Sequence, residues 1–508
     1  MGSFKKTNSK CFKSILTIGI LVILVSIGAF IYGEAFFIKR VTKELYEAMV
    51  IKPNSTRFGF WSRPPVKVFR KYYFFNVENP EEVILGAKPN LTEHGPYVYS
   101  QILEKRNIEF LDQMTVKYSP VVTLHYEPEL SVGPENDVVT ILNVPLVSTI
   151  DKITKMPGNL PANILFGYFE TNLFISRSVQ DIISGYYDPL MHLAKETYPD
   201  KVKDDKFGLL LEKNGTEWQE FIIKTGADDP KLAGNILSWN GKKKLDFWTT
   251  DKANEMRGSD GSFNPIFLTR EHKLVNFNSE LCRSYTMTYL KDNNVDGIDC
   301  FDFHLPENIF ANETLNPENA GFCDGECLGN GVFNLSRCLD GVSSFISQPH
   351  FLNADLKFLE GVNGLNPDKN KHDFILHFEP ISGTSIGGKA RLQVNFYVSQ
   401  NKNIDLVKHI ESVLFPFFWF EESVELQPII KDKLYILSII NKCIKIIPFM
   451  ILLIGLLCIF CSMFPLFGKY LNKRRRRSFK KYKLAAQQSS ASILETVSFK
   501  QSSSPINI

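Results

Sequence analysis

Two long apolar runs, one near each end of the chain, most constrain how this sequence can fold. Residues 14–33 and 446–468 span twenty and twenty-three positions, and neither run contains a charged side chain. Because a helix rises about 1.5 Å per residue, each run forms roughly 30 Å of helix, enough to cross the hydrocarbon core of a bilayer. The sequence therefore predicts two transmembrane helices with residues 34–445 between them.

The first run also has the position and the basic flank of a cleaved signal peptide. Its twenty apolar residues exceed a usual signal core of about 7–15 residues. No small-x-small cleavage site follows, because residues 34–38 read EAFFI. We therefore interpret the run as an uncleaved membrane anchor.

Charge and glycosylation sequons indicate the orientation. The chain carries a net charge of +3, yet four lysines precede the first run, and ten Lys and Arg residues against one Glu follow from residue 469 onward. Positive charge stays on the cytosolic side of a membrane. We expect cytosolic tails at 1–13 and 469–508, the second of them polybasic, and an exoplasmic domain at 34–445. All five N-glycosylation sequons lie in that domain, at Asn54, Asn90, Asn214, Asn312 and Asn334.

Nine cysteines divide by compartment. Five of them cluster in the exoplasmic domain: Cys282, Cys300, Cys323, Cys327 and Cys338. The spacing of the last three also fits a zinc site completed by His304 or His350, but an oxidising compartment favours disulfides, so we expect no metal centre. An odd number leaves at least one cysteine unpaired within the group. Three further cysteines near the cytosolic face are candidates for palmitoylation or are simply small buried residues: Cys11, Cys458 and Cys461.

Strand patterns dominate the exoplasmic domain. Apolar residues alternate through 391–398, and shorter alternations occur at 374–378 and 285–289. Strands of this kind suit an antiparallel sheet with one face on a core. Helical spacing is concentrated at about 150–200, where Gly185 offers a stop after an apolar face at Val179, Ile182 and Ile183; Pro157 and Pro161 predict that the first helix there is short. The pattern predicts an α+β protein with a β-rich body and a small helical insertion.

Motifs along the whole chain resemble those of the class B scavenger receptor family. They are residues 64–68 (PPVKV), 73–82 (YFFNVENPEE), 95–99 (GPYVY), 239–242 (WNGK), 248–252 (WTTDK), 282–284 (CRS), 319–323 (NAGFC), 349–352 (PHFL) and 364–367 (GLNP). Residues 323–332 (CDGECLGNGV) look most like the lysosomal integral membrane protein branch. The resemblance is specific because it rests on many motifs along the chain and not on a single one.

This resemblance implies two transmembrane helices flanking a glycosylated, antiparallel β-barrel-like domain with a helical bundle at its apex, between about 150 and 200. It also implies a hydrophobic tunnel through which lipid passes to the bilayer. Family members bind lipids, lipoproteins, anionic phospholipid particles or protein cargo. Forty-one phenylalanines would suit the wall of such a tunnel, although most of them are expected in the core.

The resemblance also implies roles for individual residues. The matching disulfides are Cys282 with Cys338 and Cys323 with Cys327, in a region spanning 282–338. Ala253 replaces a further family cysteine, which makes Cys300 the candidate free thiol.

The apex departs from the family pattern at two places. Residues 168–170 (YFE) stand where the fatty-acid-binding member has a ligand-contacting lysine, which leaves Lys152, Lys155 and Arg177 as the nearby basic candidates. Pro157 and Pro161 interrupt the helix with which the lysosomal member carries a glycosidase, so we do not transfer that cargo.

Two other classes of function compete with a lipid receptor. An ecto-nucleotidase-like enzyme needs phosphate-cradling loops, and the nearest, residues 258–262 (GSDGS), is a lone glycine-rich turn. A two-span ligand-gated channel needs polar pore-lining groups, whereas these spans offer only Thr17, Ser26 and Ser462. We expect no catalysis, no cofactor and no nucleic-acid partner; the oligomeric state stays open. The tail lacks an acidic dileucine signal, which favours the plasma membrane, with a cargo receptor or lipid exporter of lysosomal or endosomal membranes as the alternative.

Overall fold

The structure is a computed structural model that describes residues 2–155, 162–323, 325, 327–339 and 341–500. The chain divides into two compact units. The smaller unit is Met1–Val41 with Leu437–Ile508, and the larger unit is Thr42–Ile436.

Helices and strands occur in the following order. The α-helices are α1 Gly2–Met49, α2 Thr56–Ser62, α3 Pro80–Ile84, α4 Val144–Lys155, α5 Ala162–Tyr168, α6 Val179–Ser184, α7 Pro189–Thr197, α8 Leu356–Glu360, α9 Lys369–His372 and α10 Pro428–Lys500. The strands are β1 Val66–Val77, β2 Leu91–Phe110, β3 Thr115–Tyr126, β4 Val138–Leu142, β5 Phe174–Ser178, β6 Tyr186–Tyr187, β7 Lys206–Phe207, β8 Phe221–Lys224, β9 Ile236–Trp239, β10 Lys273–Asn278, β11 Arg283–Val295, β12 Ile298–His304, β13 Val332–Asn334, β14 Ser344–Ser347, β15 Ile375–Phe378, β16 Ser385–Val398 and β17 Val413–Leu426. Short 3₁₀ turns lie at Pro128–Leu130, Pro230–Leu232, Pro317–Phe322 and Pro349–Phe351.

The smaller unit consists of most of α1 and most of α10. The two stretches long and apolar enough to cross a membrane are Lys13–Met49 and Pro428–Phe464. The helices approach closely at two glycines: a Cβ on Gly19 would lie 3.1 Å from the carbonyl oxygen of Gly455. The Ser26 hydroxyl donates to the carbonyl of Pro448 at 2.6 Å. Small residues let membrane helices pack backbone to backbone, and a hydroxyl satisfied in this way adds to the contact.

The larger unit is built on one thirteen-stranded antiparallel sheet. Eleven of its strands follow one path, in the order β10-β11-β12-β15-β16-β17-β1-β2-β3-β8-β9, and β13 and β14 pair beside β16. The long central strands hold one another in register, as β1 does with β17 from Val66 opposite Leu426 to Phe74 opposite Phe418. The sheet curls so far that its first and last strands come close together.

A short connection at Gly258 and Ser259 almost closes this sheet into a barrel. Ser259 forms one bridge to Asn235, just before β9, and another to Asn276 on β10. Gly258 has φ +83°, and a Cβ there would lie 2.0 Å from the carbonyl oxygen of Val275. This position therefore requires glycine. The sheet and the two terminal helices together confirm the prediction of an α+β protein with an antiparallel barrel between two apolar helices.

Helices α4 to α7 form the small helical insertion. The predicted apolar face of α6 is buried at Val179, Ile182 and Ile183, with 3% exposure or less. Ser178 caps the start of α6 through its hydroxyl, and Gly185 ends it with φ +115°. Helix α4 has twelve residues and ends at Lys155, whereas Pro157 and Pro161, on which the prediction of a short helix rested, lie outside the described residues.

Candidate functional site: an apolar cavity in the barrel

A cavity of about 920 Å³ lies inside the barrel. Strands from distant parts of the sheet, β1 and β17 as well as β10 and β11, all contribute to its wall, which places it within the curl of the sheet. Its volume is near the upper end of the roughly 300–1,000 Å³ that small-molecule sites occupy.

The alternation of the long strands builds the apolar part of this wall. Side chains point to opposite faces at successive positions of a strand, so every second residue faces the cavity. On β16 these residues are Ala390, Leu392, Val394 and Phe396, and on β17 they are Phe418, Phe420 and Val424. The alternation predicted at 391–398 is thus confirmed, and three of its four apolar residues face the cavity.

The opposite face of β16 carries a buried polar layer. Arg391 donates to Glu421 at 2.9 Å through Nε, and Lys71 donates to the same carboxylate at 2.9 Å. Burial alone would raise the pKa of Glu421, but the hydrogen bond from Lys71 and the charges of Lys71 and Arg391 together lower it. This layer fixes the register of β1, β16 and β17 from outside the cavity.

One group of charged side chains interrupts the apolar wall, and we call it the Arg70 cluster: Arg70, Glu280 and Glu422. Arg70 Nη2 lies 2.7 Å from Glu422 Oε2, and Arg70 Nη1 lies 3.5 Å from Glu280 Oε1. The guanidinium also lies 5.1 Å from the centre of the Phe420 ring. The charge of Arg70 lowers the pKa of Glu280 against the opposing effect of burial. The wall therefore offers a polar anchoring point beside a long apolar surface.

A second chamber of about 290 Å³ adjoins the first, and the Arg70 cluster lines both. Its wall is more polar. Lys105 Nζ donates to the Trp61 carbonyl at 3.1 Å and to Ser262 Oγ at 3.3 Å, and the Tyr118 hydroxyl donates to Asp260 at 2.6 Å. Burial lowers the pKa of Lys105, and the charge of Asp260 offsets this only in part.

Side chains of the glycine-rich turn at 258–262, the nearest match to a nucleotide-binding loop, form hydrogen bonds within the protein. Ser259 Oγ donates to the carbonyl of Phe263 at 3.0 Å and contacts Asn276 Oδ1 at 2.8 Å. Asp260 accepts hydrogen bonds from Tyr118 and Ser262. This turn closes the barrel.

Of the four predicted disulfide cysteines, two lie at the cavity. Cys282 and Cys338 are bonded, with Cα atoms 6.3 Å apart, and both line the cavity. Cys323 and Cys327 are bonded, with Cα atoms 4.9 Å apart. Cys300 is a buried free cysteine on β12.

The basic residues predicted near the apex occupy two different elements. Lys152 and Lys155 are exposed near the end of α4, and Lys155 forms an ion pair with Asp151 at 2.8 Å. Arg177 lies on β5 with its guanidinium 4.8 Å from the centre of the Tyr186 ring. The two lysines thus share one helix end, whereas Arg177 packs on an aromatic side chain.

The sequon asparagines differ in accessibility. Asn54, Asn90 and Asn214 are exposed, whereas Asn312 and Asn334 are half-buried. The side-chain oxygen of Asn214 accepts from the backbone of Leu124 at 2.8 Å. The exposed three are the more accessible positions for a glycan.

Two of the cysteines considered for palmitoylation lie on α10. Cys461 is exposed and Cys458 is half-buried. The side chain of Cys11 lies outside the described residues.

Sequence reasoning missed the Arg70 cluster. Its members lie on β1, β17 and the turn before β11, up to 352 positions apart. Only the antiparallel pairing that sets Arg70 opposite Glu422 brings the first two together. The one available signal was a charged residue within an otherwise apolar alternation, at position 422 after Phe418 and Phe420.

The chain thus combines an antiparallel barrel around an apolar cavity with two helices, one near each end, that are long and apolar enough to cross a membrane. The CD36 family model matches residues 17–466. Lysosome membrane protein 2 of Mus musculus is 34% identical over 455 residues, covering 88% of this chain and 92% of that protein. Scavenger receptor class B member 1 of Bos taurus is 32% identical over 419 residues, covering 82% of each. The chain therefore belongs to the CD36 family, and the resemblance seen in its motifs is confirmed.

Proposed function

We propose that this protein is a lipid receptor that binds an acyl-chain lipid in its barrel and passes it to the membrane. The observation that carries the proposal is the cavity of about 920 Å³, with its apolar wall and the Arg70 cluster at one side. Each CH₂ group removed from water gains about 0.8 kcal/mol, so a long acyl chain gains much from such a wall. The charged cluster would accommodate a polar head group, and no catalytic step is required.

A cavity-filling substitution tests this proposal. Val394 is half-buried and faces the cavity, so Val394→Trp places a large ring where the acyl chain would lie. We expect cells that display this variant to take up fluorescent fatty acid or cholesteryl ester at least about fivefold more slowly than cells with the wild-type chain. Leu356→Trp is the matched control, because Leu356 is 69% exposed and does not line the cavity.

Surface display must be equal for all three chains in this experiment. Uptake by Val394→Trp at the wild-type rate would contradict binding in the cavity. No uptake above control cells by the displayed wild-type chain, with any lipid class, would favour a receptor for protein cargo instead.

We also propose that the end of α4 captures anionic lipid particles, through Lys152 and Lys155 with Arg177 nearby in sequence. These cations lie in a domain whose overall charge is negative, so they would attract anionic head groups from solution. Replacing both lysines with glutamate should reduce binding of phosphatidylserine vesicles severalfold, and more so at low salt.

The matched control for this charge reversal is Lys231→Glu with Lys243→Glu, two exposed lysines outside the helical insertion. The control makes the same change in net charge. Equal losses in both double variants would indicate a general charge effect and would remove the assignment to α4.

We propose that both tails are cytosolic and that the barrel is exoplasmic, at the plasma membrane or in lysosomal or endosomal membranes. The basic tails and the sequons between the apolar helices support this orientation. Protease added to sealed right-side-out vesicles should spare epitopes at both ends, and loss of either epitope would contradict the orientation.

A further inference from the structure

A second cluster of reactive side chains lies on the strands β12 and β15, and none of its members lines the cavity. It consists of Cys300, Asp302 and His377, whose ligand atoms all lie within 4.8 Å of one another. Cys300 and Asp302 are 2% and 1% exposed. A buried thiol and a buried carboxylate thus lie beside a half-buried imidazole, and the proposed lipid receptor uses none of the three.

Strand geometry explains why these three residues meet. Cys300 and Asp302 are two positions apart on β12, so their side chains project from the same face. His377 on β15 is the direct antiparallel partner of Asp302, and His377 Nδ1 lies 2.6 Å from Asp302 Oδ1. The arrangement thus follows from the register of central strands and not from a loop.

The surroundings hold the carboxylate and shield the thiol. Asn293, which pairs with Cys300 across β11 and β12, donates its Nδ2 to both oxygens of Asp302 at 3.2 Å. Orientation of a carboxylate by an outer hydrogen bond is typical of metal sites. Apolar residues pack around Cys300, namely Ile298, Ile386 and Leu434.

We propose that Cys300, Asp302 and His377 form a zinc site. Thiolate, imidazole and carboxylate are the three ligand types that zinc takes, whereas calcium and magnesium prefer oxygen ligands alone. Three protein ligands leave one position for water, and the side chain of His377, 23% exposed, lies on the accessible side. Binding would release the thiol proton of Cys300 to solvent, and the proton between His377 Nδ1 and Asp302 would move to His377 Nε2 or to solvent.

Two neighbouring features are consistent with this assignment. Lys291 Nζ approaches Asp302 only to 3.9 Å, and its side chain is 63% exposed, so it can turn to water when a cation binds. Among the residues that the structure describes, a further cluster with metal-binding residue types is Glu313 with Cys323 and Cys327, but both sulfurs are in a disulfide, so it offers no thiolate. The zinc site therefore differs from the one weighed on sequence spacing, and it departs from the expectation that the chain holds no metal.

The test is the metal content of the full-length chain, purified in detergent without an affinity tag that binds metal and dialysed against a buffered zinc solution. We expect about one zinc per chain in the wild type and less than about one-fifth of that in Cys300→Ser and in His377→Gln. Cys443→Ser and His125→Gln are the matched controls, because both residues are exposed and lie outside the cluster. They should keep the wild-type zinc content.

Cobalt provides a second readout, and the spectrum of the wild-type chain does not depend on how any variant folds. The wild-type chain loaded with Co²⁺ should show a thiolate-to-cobalt charge-transfer band in the near ultraviolet, and Cys300→Ser should lack it. A cobalt-loaded wild type without this band, a wild type without zinc, or a Cys300→Ser chain that keeps its zinc would each overturn the proposal. Lipid uptake is not part of this test, so its outcome is independent of the proposed receptor function.

Discussion

The buried pair His350 and His372 gives the barrel an acid-sensitive element at the scale of single residues. The two rings stack with centroids 4.3 Å apart, and His372 is 4% exposed. His350 Nε2 lies 2.7 Å from Glu93, which also accepts from Trp419 at 2.7 Å. Burial, reinforced by the charge that His350 can carry, lowers the pKa of His372 to about 4.

This shift predicts a loss of stability in acid. The unfolded chain has a histidine pKa of about 6.5, so between pH 6.5 and pH 4 it binds a proton that the folded chain excludes, and the free energy of unfolding falls as the pH falls. By pH 5 the loss from this residue is about 2 kcal/mol. His372→Gln should show a smaller decrease in melting temperature between pH 7 and pH 5 than the wild type.

The exposed His125 provides the control. The melting temperature of His125→Gln should fall between pH 7 and pH 5 by as much as that of the wild type. Equal decreases in the wild type and in His372→Gln would show that the stacked pair does not set the acid sensitivity. The prediction bears on where the protein works, since a lysosomal chain must tolerate this loss.

At the scale of elements, the two disulfides should differ in how much each adds to the free energy of unfolding. The sequence separations of their cysteines are 56 for Cys282–Cys338 and 4 for Cys323–Cys327. When stabilisation is attributed to the lost entropy of the unfolded chain, the disulfide that closes the longer loop stabilises the fold by about 4 kcal/mol and the other by about 2 kcal/mol. We expect Cys282→Ser with Cys338→Ser to lower the melting temperature more than Cys323→Ser with Cys327→Ser.

Peptide mapping of the oxidised chain should recover both pairs, with Cys300 alkylated after denaturation without reduction. A bridge from Cys300 to any other cysteine would contradict the pairing and would remove the thiol from the zinc site. An equal loss of melting temperature in the two double variants would show that loop length does not determine their contributions.

Features within one element could be predicted from the sequence, whereas contacts between distant strands could not. The alternation of β16 and the apolar face of α6 were readable because both are periodic within one element. The Arg70 cluster and the zinc ligands were not, since they depend on which strand pairs with which and at what register. His377 lies 75 positions after Asp302, and nothing in either segment alone marks the two as neighbours.

The whole molecule combines an apolar cavity with apolar terminal helices, two properties that composition alone does not connect. The larger unit encloses an apolar cavity with a charged cluster in its wall. The smaller unit consists of helices apolar enough for a bilayer. Motifs spread along the chain predicted this combination through family resemblance. The residues that line the cavity could not be predicted in this way, because they are brought together by the curl of the sheet and its closure at Ser259.

Native mass spectrometry of the full-length chain can detect a lipid in the cavity. The wild-type chain and Leu356→Trp, purified in mild detergent from cells, should carry one or two lipid molecules that chloroform extraction identifies as acyl-chain lipids. Val394→Trp should carry markedly less, because its ring fills the space that the apolar strand faces enclose. Equal lipid occupancy in Val394→Trp and the wild type, or a wild-type chain free of lipid after incubation with fatty acid, would contradict lipid binding in the cavity.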